Sequence, residues 1–274
     1  MKLACALFSF SLLTPEQAAK LVKLLGFRYA DLGTQVDRPA GVPGPAIEEN
    51  PPRMAERLKR LAGENDLAYA DMLSFFDQPA NSPDPAARAA NARRLAAYLE
   101  LCRLAAIPGL TLLPGVLWPD LGFERSYEIA RAELATFTAM AGDAGVRLSI
   151  EAHYESIVED PTQARRLFEE VPGLKATLDY AHYVVAGRDP ASVHKLIPYT
   201  AHFHARQARP GQMQAVWEDG TIDFRDVVGR LRAAGYGGFY CVEYVHTPRW
   251  NNNRQDVLSE TIRMRDLLRE LLAG

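Results

Sequence analysis

The chain has 274 residues, enough for one large domain or two small ones, and its 48% hydrophobic and 24% charged residues describe a globular protein rather than a disordered or fibrous one. A net charge of −3 excludes broad electrostatic binding to nucleic acid or an anionic membrane and leaves only a local basic cleft open. Cys5, Cys102 and Cys241 lie far apart in apolar surroundings with no CxxC pair, so they read as buried free thiols of a reducing, cytoplasmic compartment.

Residues 2–10 form a first apolar run. It is short for a signal peptide and has no cleavage site before Thr14, so a first strand accounts for it better. No apolar run approaches the roughly 20 residues that span a bilayer. Thr14-Pro15-Glu16-Gln17 then supplies an N-cap, a proline at the first helical position and a glutamine at the third, which opens a helix to about Leu25. Asp84-Pro85, Asp160-Pro161 and Asp189-Pro190 repeat that kind of start, because a proline's missing N–H would have no helical partner there.

Further strands are predicted at 29–33, 67–76, 109–116, 146–153, 175–180, 200–204 and 238–245, giving eight with the first. Helices are predicted near 52–65, 85–106, 124–144, 161–170, 190–198, 223–235 and 255–273. Phe224, Val227, Val228, Leu231 and Ala234 recur at one helical face, as do Leu95, Tyr98, Leu99 and Cys102, which marks packing against a sheet.

Strict alternation of strand and helix implies right-handed crossovers and a parallel sheet. Eight units favour closure into a single (β/α)8 TIM barrel occupying 1–274, since about 250 residues are typical of that α/β fold. An open doubly wound sheet would show a glycine-rich phosphate loop after its first strand, and that turn reads Ser9-Phe10-Ser11-Leu12-Leu13. Two Pro/Gly-rich stretches, 37–52 and 78–85, follow the second and third strands and belong at the C-terminal mouth, where loops shape substrate sites.

Acids and histidines of the second half fall at strand ends. Glu151, Asp179, His204 and Glu243 each close an apolar run, so in a parallel barrel they reach one mouth. Taken singly, each acid reads as a surface or capping residue and His204 as a buried histidine bonded to backbone. On four consecutive strands they read as a set. Three carboxylates and an imidazole suit Mn²⁺, Mg²⁺ or Co²⁺, with zinc also admissible, and without a cation the carboxylates would resist joint ionisation.

The segments Leu148-Ser-Ile-Glu151, Leu178-Asp179-Tyr-Ala-His182, His202-Phe-His204 and Gly220-Thr-Ile-Asp223-Phe224, with the run from Gly235 to Glu243, resemble the xylose-isomerase-like sugar isomerase/epimerase superfamily. The resemblance is specific from about 146 to 245 and topological before that. It implies that Glu151, Asp179, His204 and Glu243 bind one divalent metal ion and that His182 contacts the metal-bound substrate. The sequence departs from the His-x-Lys-Asp pattern of many members, reading His204-Ala205-Arg206-Gln207. Arg206 or Arg209 replaces the lysine as an oxygen-binding cation, or either is a solvated loop arginine. His153 and His202 share the faces of Glu151 and His204 and either support them or simply pack. Trp118 and Trp250 are sugar platforms or core covers, and Asn251-Asn252-Asn253 reads first as a cap before the last helix.

The resemblance implies a metal-dependent sugar isomerase or epimerase acting on a small sugar or polyol, with Glu151 and Glu243 moving a proton next to a carbonyl. Dehydratases or lyases of the same superfamily, its zinc-dependent abasic-site endonucleases and a catalytically silent sugar-binding barrel are the alternatives. The endonucleases take zinc-ligating histidines partly from early strands, and here no histidine precedes His153. Homo-oligomerisation is left open.

Overall fold

The computed structural model describes residues 2–34 and 41–273. Eight parallel strands close into a barrel in sequential order: β1 (Leu3–Ala6), β2 (Tyr29–Gly33), β3 (Ala68–Ser74), β4 (Gly109–Leu112), β5 (Arg147–Ile150), β6 (Lys175–Asp179), β7 (Thr200–Ala205) and β8 (Phe239–Val242). Closure is the pairing of Leu3, Ala4 and Cys5 of β1 with Tyr240, Cys241 and Val242 of β8. The outer layer holds α1 (Pro15–Leu24), α2 (Gly44–Glu49), α3 (Pro51–Glu64), α4 (Pro85–Ala105), α5 (Gly122–Asp143), α6 (Pro161–Glu170), α7 (Ala181–Val184), α8 (Pro190–Val193), α9 (Phe224–Ala233) and α10 (Val257–Ala273). No described helix is long and apolar enough to cross a membrane.

The helix starts follow from the caps. The Thr14 hydroxyl accepts from the Gln17 amide and the Gln17 side chain accepts from the Thr14 amide, a reciprocal box with Pro15 at the first position. Asp84, Asp160 and Asp189 each accept from the amide two residues on, ahead of α4, α6 and α8. The predicted stripes face inward: Leu95, Tyr98, Leu99 and Cys102 of α4 and Phe224, Val227, Val228 and Leu231 of α9 are buried. Ala234 is exposed, one residue past α9.

Several strands are shorter than their apolar runs. The run at 2–10 is paired only to Ala6 and then turns into a 3-10 segment, Leu7–Phe10, that stays buried. Phe8 closes onto β2 so tightly that a Cβ at Gly33 would lie 2.7 Å from its ring. β3, β4, β5 and β8 likewise end before the apolar residues do, because the loops leaving the mouth remain covered. The helix predicted at 190–198 is a single turn, α8, followed by a 3-10 stretch, His194–Tyr199, in which Pro198 cannot donate to a helical ladder. Of the loop read at 37–52, residues 37–40 lie outside the described residues, and 44–49 form α2. All three cysteines are free and buried, as expected.

Below the mouth the barrel interior carries a polar plug. Arg147 pairs with Asp71 at 2.8 Å, Thr111 donates to Asp71 at 2.7 Å, and the Thr111 and Thr177 hydroxyls meet at 2.6 Å. The plug sits against Gly109, where a Cβ would fall 2.1 Å from the Arg147 guanidinium, so any larger residue would displace the Arg147–Asp71 pair.

Candidate metal centre at the barrel mouth

The ends of β5, β6, β7 and β8 bring Glu151, Asp179, His204 and Glu243 together, each buried, with one ligand atom apiece all lying within 4.8 Å of one another. His204 Nδ1 is 2.8 Å from Glu151 Oε1 and 3.2 Å from Glu243 Oε2. Asp179 Oδ1 accepts from the Ala181 amide at 2.8 Å, which fixes the carboxylate and leaves Oδ2 facing the cluster. Asp179 Oδ2 and Glu243 Oε2 are both buried and face charged neighbours: the Arg206 guanidinium lies 2.6 Å from the first, and His204 Nδ1 lies 3.2 Å from the second. Three buried carboxylates converging on one imidazole nitrogen make a donor set that fits a hard divalent cation.

The electrostatics agree. Burial would raise the Glu151 carboxyl, but the charges and hydrogen bonds of His182 and His204 hold it well below the usual carboxylate range. Asp179 is raised, by burial first and then by the like charges of Glu243 and Glu151, against the pull of Arg206 and His182. Burial opposes a proton on His204, yet the charge of Glu243 and the bonds to Asp31, Glu151 and Glu243 outweigh it and raise His204 well above its ordinary value. The pocket thus draws positive charge, and a metal taken up here would replace that proton.

Asp31 in β2 escaped the sequence reading. Its Oδ2 accepts from His202 Nε2 at 2.6 Å and lies 3.3 Å from His204 Nε2, so it holds the far nitrogen of the candidate ligand. With Nε2–H turned to Asp31, Nδ1 is left with its lone pair toward the three carboxylates, the orientation a metal-bound histidine takes. Burial would raise Asp31, but the charges and bonds of His202 and His204 lower it. A single acid inside the apolar run Tyr29-Ala-Asp-Leu-Gly33 was the available signal. His202 proves to be the bracket on the other side of Asp31, with its ring edge-on to His204 at 5.1 Å. The Asp31–His202–His204–Cys241 grouping also has ligand spacing, but it holds a single carboxylate and a thiol that burial keeps protonated, so the three-carboxylate cluster is the better site for a hard cation. Asp31→Asn should weaken metal affinity by about 10–100-fold, because both imidazoles bond the one oxygen Oδ2 and an amide oxygen there lacks the charge that orients His204 and strengthens it as a donor. Titration of the variant with Mn²⁺ showing unchanged affinity would remove Asp31 from this role.

Arg206 is buried with its guanidinium 2.6 Å from Asp179 Oδ2 and 3.4 Å from Glu243 Oε2. His182 Nδ1 accepts from the Tyr154 amide at 3.2 Å, and its Nε2 stands 3.3 Å from Glu151 Oε2 and 3.0 Å from the Arg206 guanidinium. A cavity of about 110 Å³ opens on Glu151, Glu243, His182 and Arg206 and is roofed by Trp250. His153 borders it too. Burial and the charge of His182 push its pKa down to about 4, leaving a neutral imidazole whose Nδ1 lies 2.5 Å from the Tyr154 carbonyl.

Two other sequence candidates fall elsewhere. Arg209 is half exposed and turns to Gln212 at 2.7 Å and Asp219 at 4.0 Å, because its loop folds back on itself. The Trp118 indole donates to the Asn81 carbonyl at 2.9 Å, covering the loop after β4, and does not border the cavity. Gln207 stands where the acid of His-x-Lys-Asp would stand. It bonds both the amide and the carbonyl of Ile222, and a Cβ at Gly220 would lie 2.3 Å from its carboxamide. A larger cavity of about 550 Å³ lies on α2 and α3, lined by Arg53, Arg57 and Arg60, away from these groups.

A family model described as xylose isomerase-like TIM barrel matches residues 19–269. Among solved structures, D-psicose 3-epimerase from Clostridium cellulolyticum H10, with D-tagatose, is similar at TM-score 0.80 and 16% identity, over 99% of both chains. The IolI protein with a zinc atom is similar at 0.77 and 15% identity, over 100% of this chain and 98% of that one. The 3-keto-D-glucoside 4-epimerase of E. coli is similar at 0.71 and 16% identity, over 100% of both. At such identities the likeness shows the fold. No curated protein sequence matches significantly.

Proposed function

This chain belongs to the xylose isomerase-like TIM-barrel family, and from that premise we propose that it is a metal-dependent sugar isomerase or epimerase working by proton transfer next to a carbonyl. The observation that carries the reading is the pair Glu151 and Glu243, on the ends of β5 and β8, standing on either side of His204 Nδ1 with Asp179 alongside.

One divalent ion held by Glu151, Asp179, His204 and Glu243 would supply Lewis acidity toward a carbonyl oxygen. Manganese, magnesium or cobalt suits the oxygen-rich set, and zinc is compatible with it; the zinc atom named for IolI supports the family's capacity for such a site. Glu151 and Glu243 act from opposite sides of the substrate carbon, one taking its proton and the other returning one. The Arg206 guanidinium, already beside two of the acids, presents N–H donors to the oxygen on which negative charge develops. His182, which borders the cavity, binds a neighbouring hydroxyl. The sugar 3-epimerase and 4-epimerase activities named for the structural neighbours support this class of reaction. A small polyol, not nucleic acid, suits a cavity of about 110 Å³ in a chain of net charge −3.

The test is a panel of ketoses, keto-glycosides and inositol derivatives with Mn²⁺ in D₂O, read by product identity and deuterium position. At least one member should be isomerised or epimerised with deuterium at the carbon beside its carbonyl. Loss of water from the product would instead make the protein a dehydratase, and a fully metal-loaded protein that exchanges nothing would remove the reading.

A further inference from the structure

The cavity at the metal centre does not end there. A second cavity of about 260 Å³ opens beside it between the loops that follow β3 and β4. Phe75, Leu113 and His153 border both, so the two adjoin, with a waist between them at those side chains. The first alone is small against the roughly 300–1,000 Å³ of ordinary small-molecule sites, and only the joined space reaches that range.

The chemistry of the second cavity is distinct. Pro79, Ala80 and Val116 give it apolar walls. Ser74, at the end of β3, borders it too, with its hydroxyl buried behind the cavity surface. Among the described residues lining this cavity there is no lysine or arginine. Its charged residue, Asp77, is paired with Arg94 at 2.7 Å, and Arg94 also bonds Glu48 at 2.5 Å, so among the described residues no cation is left there for a phosphate. At the waist, the contact of His153 Nδ1 with the Tyr154 carbonyl puts the ring proton there and leaves Nε2 as an acceptor for a hydroxyl.

We propose that this second cavity is a subsite for the uncharged, non-reacting ring of an elongated sugar, so that the substrate is a glycoside rather than a free or phosphorylated monosaccharide. The proposal rests on the reading above in one respect: the reacting end is the one at Glu151 and Glu243. The ring of the aglycone lies against Phe75 and Leu113, and one of its hydroxyls donates to His153 Nε2.

The test measures binding without turnover, by calorimetry on the Mn²⁺-loaded protein, so that its failure is separable from failure of the proton-transfer reading, which deuterium exchange reports. The probes are methyl β-D-glucopyranoside, 4-hydroxyphenyl β-D-glucopyranoside and glucose 6-phosphate. The hydroxyphenyl glucoside should bind about tenfold or more tighter than the methyl glucoside, from burial of its ring. Val116→Phe should abolish that advantage and leave methyl glucoside affinity and metal content unchanged. Equal affinity for the two glucosides, no binding of either, an advantage that survives Val116→Phe, or tighter binding of the phosphate would each overturn the proposal.

Discussion

Glu151→Gln and Glu243→Gln are each expected to cut turnover by about 10²–10⁴-fold, the range a positioned general base or acid contributes. Glutamine keeps the side chain's length and its bond to neighbouring donors but cannot take a proton from carbon. It also removes one negative charge from the cluster, so metal content has to be measured alongside rate, and the comparison made at matched occupancy. The two variants should differ in what remains. A protein that can still remove the proton from one face but not return it to the other should wash deuterium into recovered substrate without forming the second epimer. The variant that does this shows which carboxylate serves which face. Unimpaired conversion by either variant at full metal occupancy would reduce that glutamate to a ligand. Rapid conversion by the unaltered protein with no solvent deuterium in the product would do so for both, and would favour an internal hydride shift.

Asp179→Asn and His204→Ala should each lower the affinity for Mn²⁺ by more than about 100-fold, beyond the loss expected from outer supports. Asp179→Asn is the cleaner of the two, because an asparagine oxygen can keep the bond from the Ala181 amide and so preserve the local turn. Only the charge and the ligand oxygen Oδ2 change. In the unaltered protein, affinity should also fall with acidification. His204 is raised above its ordinary value in the folded, metal-free pocket, so the proton is fully bound below that value and competes with the metal for Nδ1; the competition fades as pH rises through it. Elemental analysis finding about one ion per chain in both variants would refute the four-ligand assignment.

How much of this was legible in the sequence differs by level. The alternation of apolar runs with capped helices led to the barrel directly, since a Pro-led N-cap and a 3.6-residue stripe are local signals. The strand ends were overrun because apolar residues mark burial, and in β4 or β8 burial continues past the last ladder bond. Glu151, Asp179, His204 and Glu243 were readable because each ends a run in its own strand. Asp31 was not, because its partners lie 171 and 173 residues away across the closed barrel, and no spacing rule reaches that far. Arg206 and Arg209 were equal on paper. They separate only when the chain after β7 turns, burying one among acids and leaving the other at the rim.

The four candidate ligands all come from β5 to β8, whereas Leu73, Phe75 and Leu113, one apolar wall of the mouth, come from β3, β4 and the residues just after them; Val245 and Trp250, after β8, complete it. The chain is therefore divided at about α5 into a half that only shapes and a half that reacts and roofs the site, with the Asp31 bond to His204 reaching across. A chimera that takes its first four strand–helix units from a relative, provided the acid at position 31 is kept, would exchange the mould around the sugar while leaving the reactive half as it stands. Recombination at that seam is thus a route to new substrates that point substitution around the metal would not open.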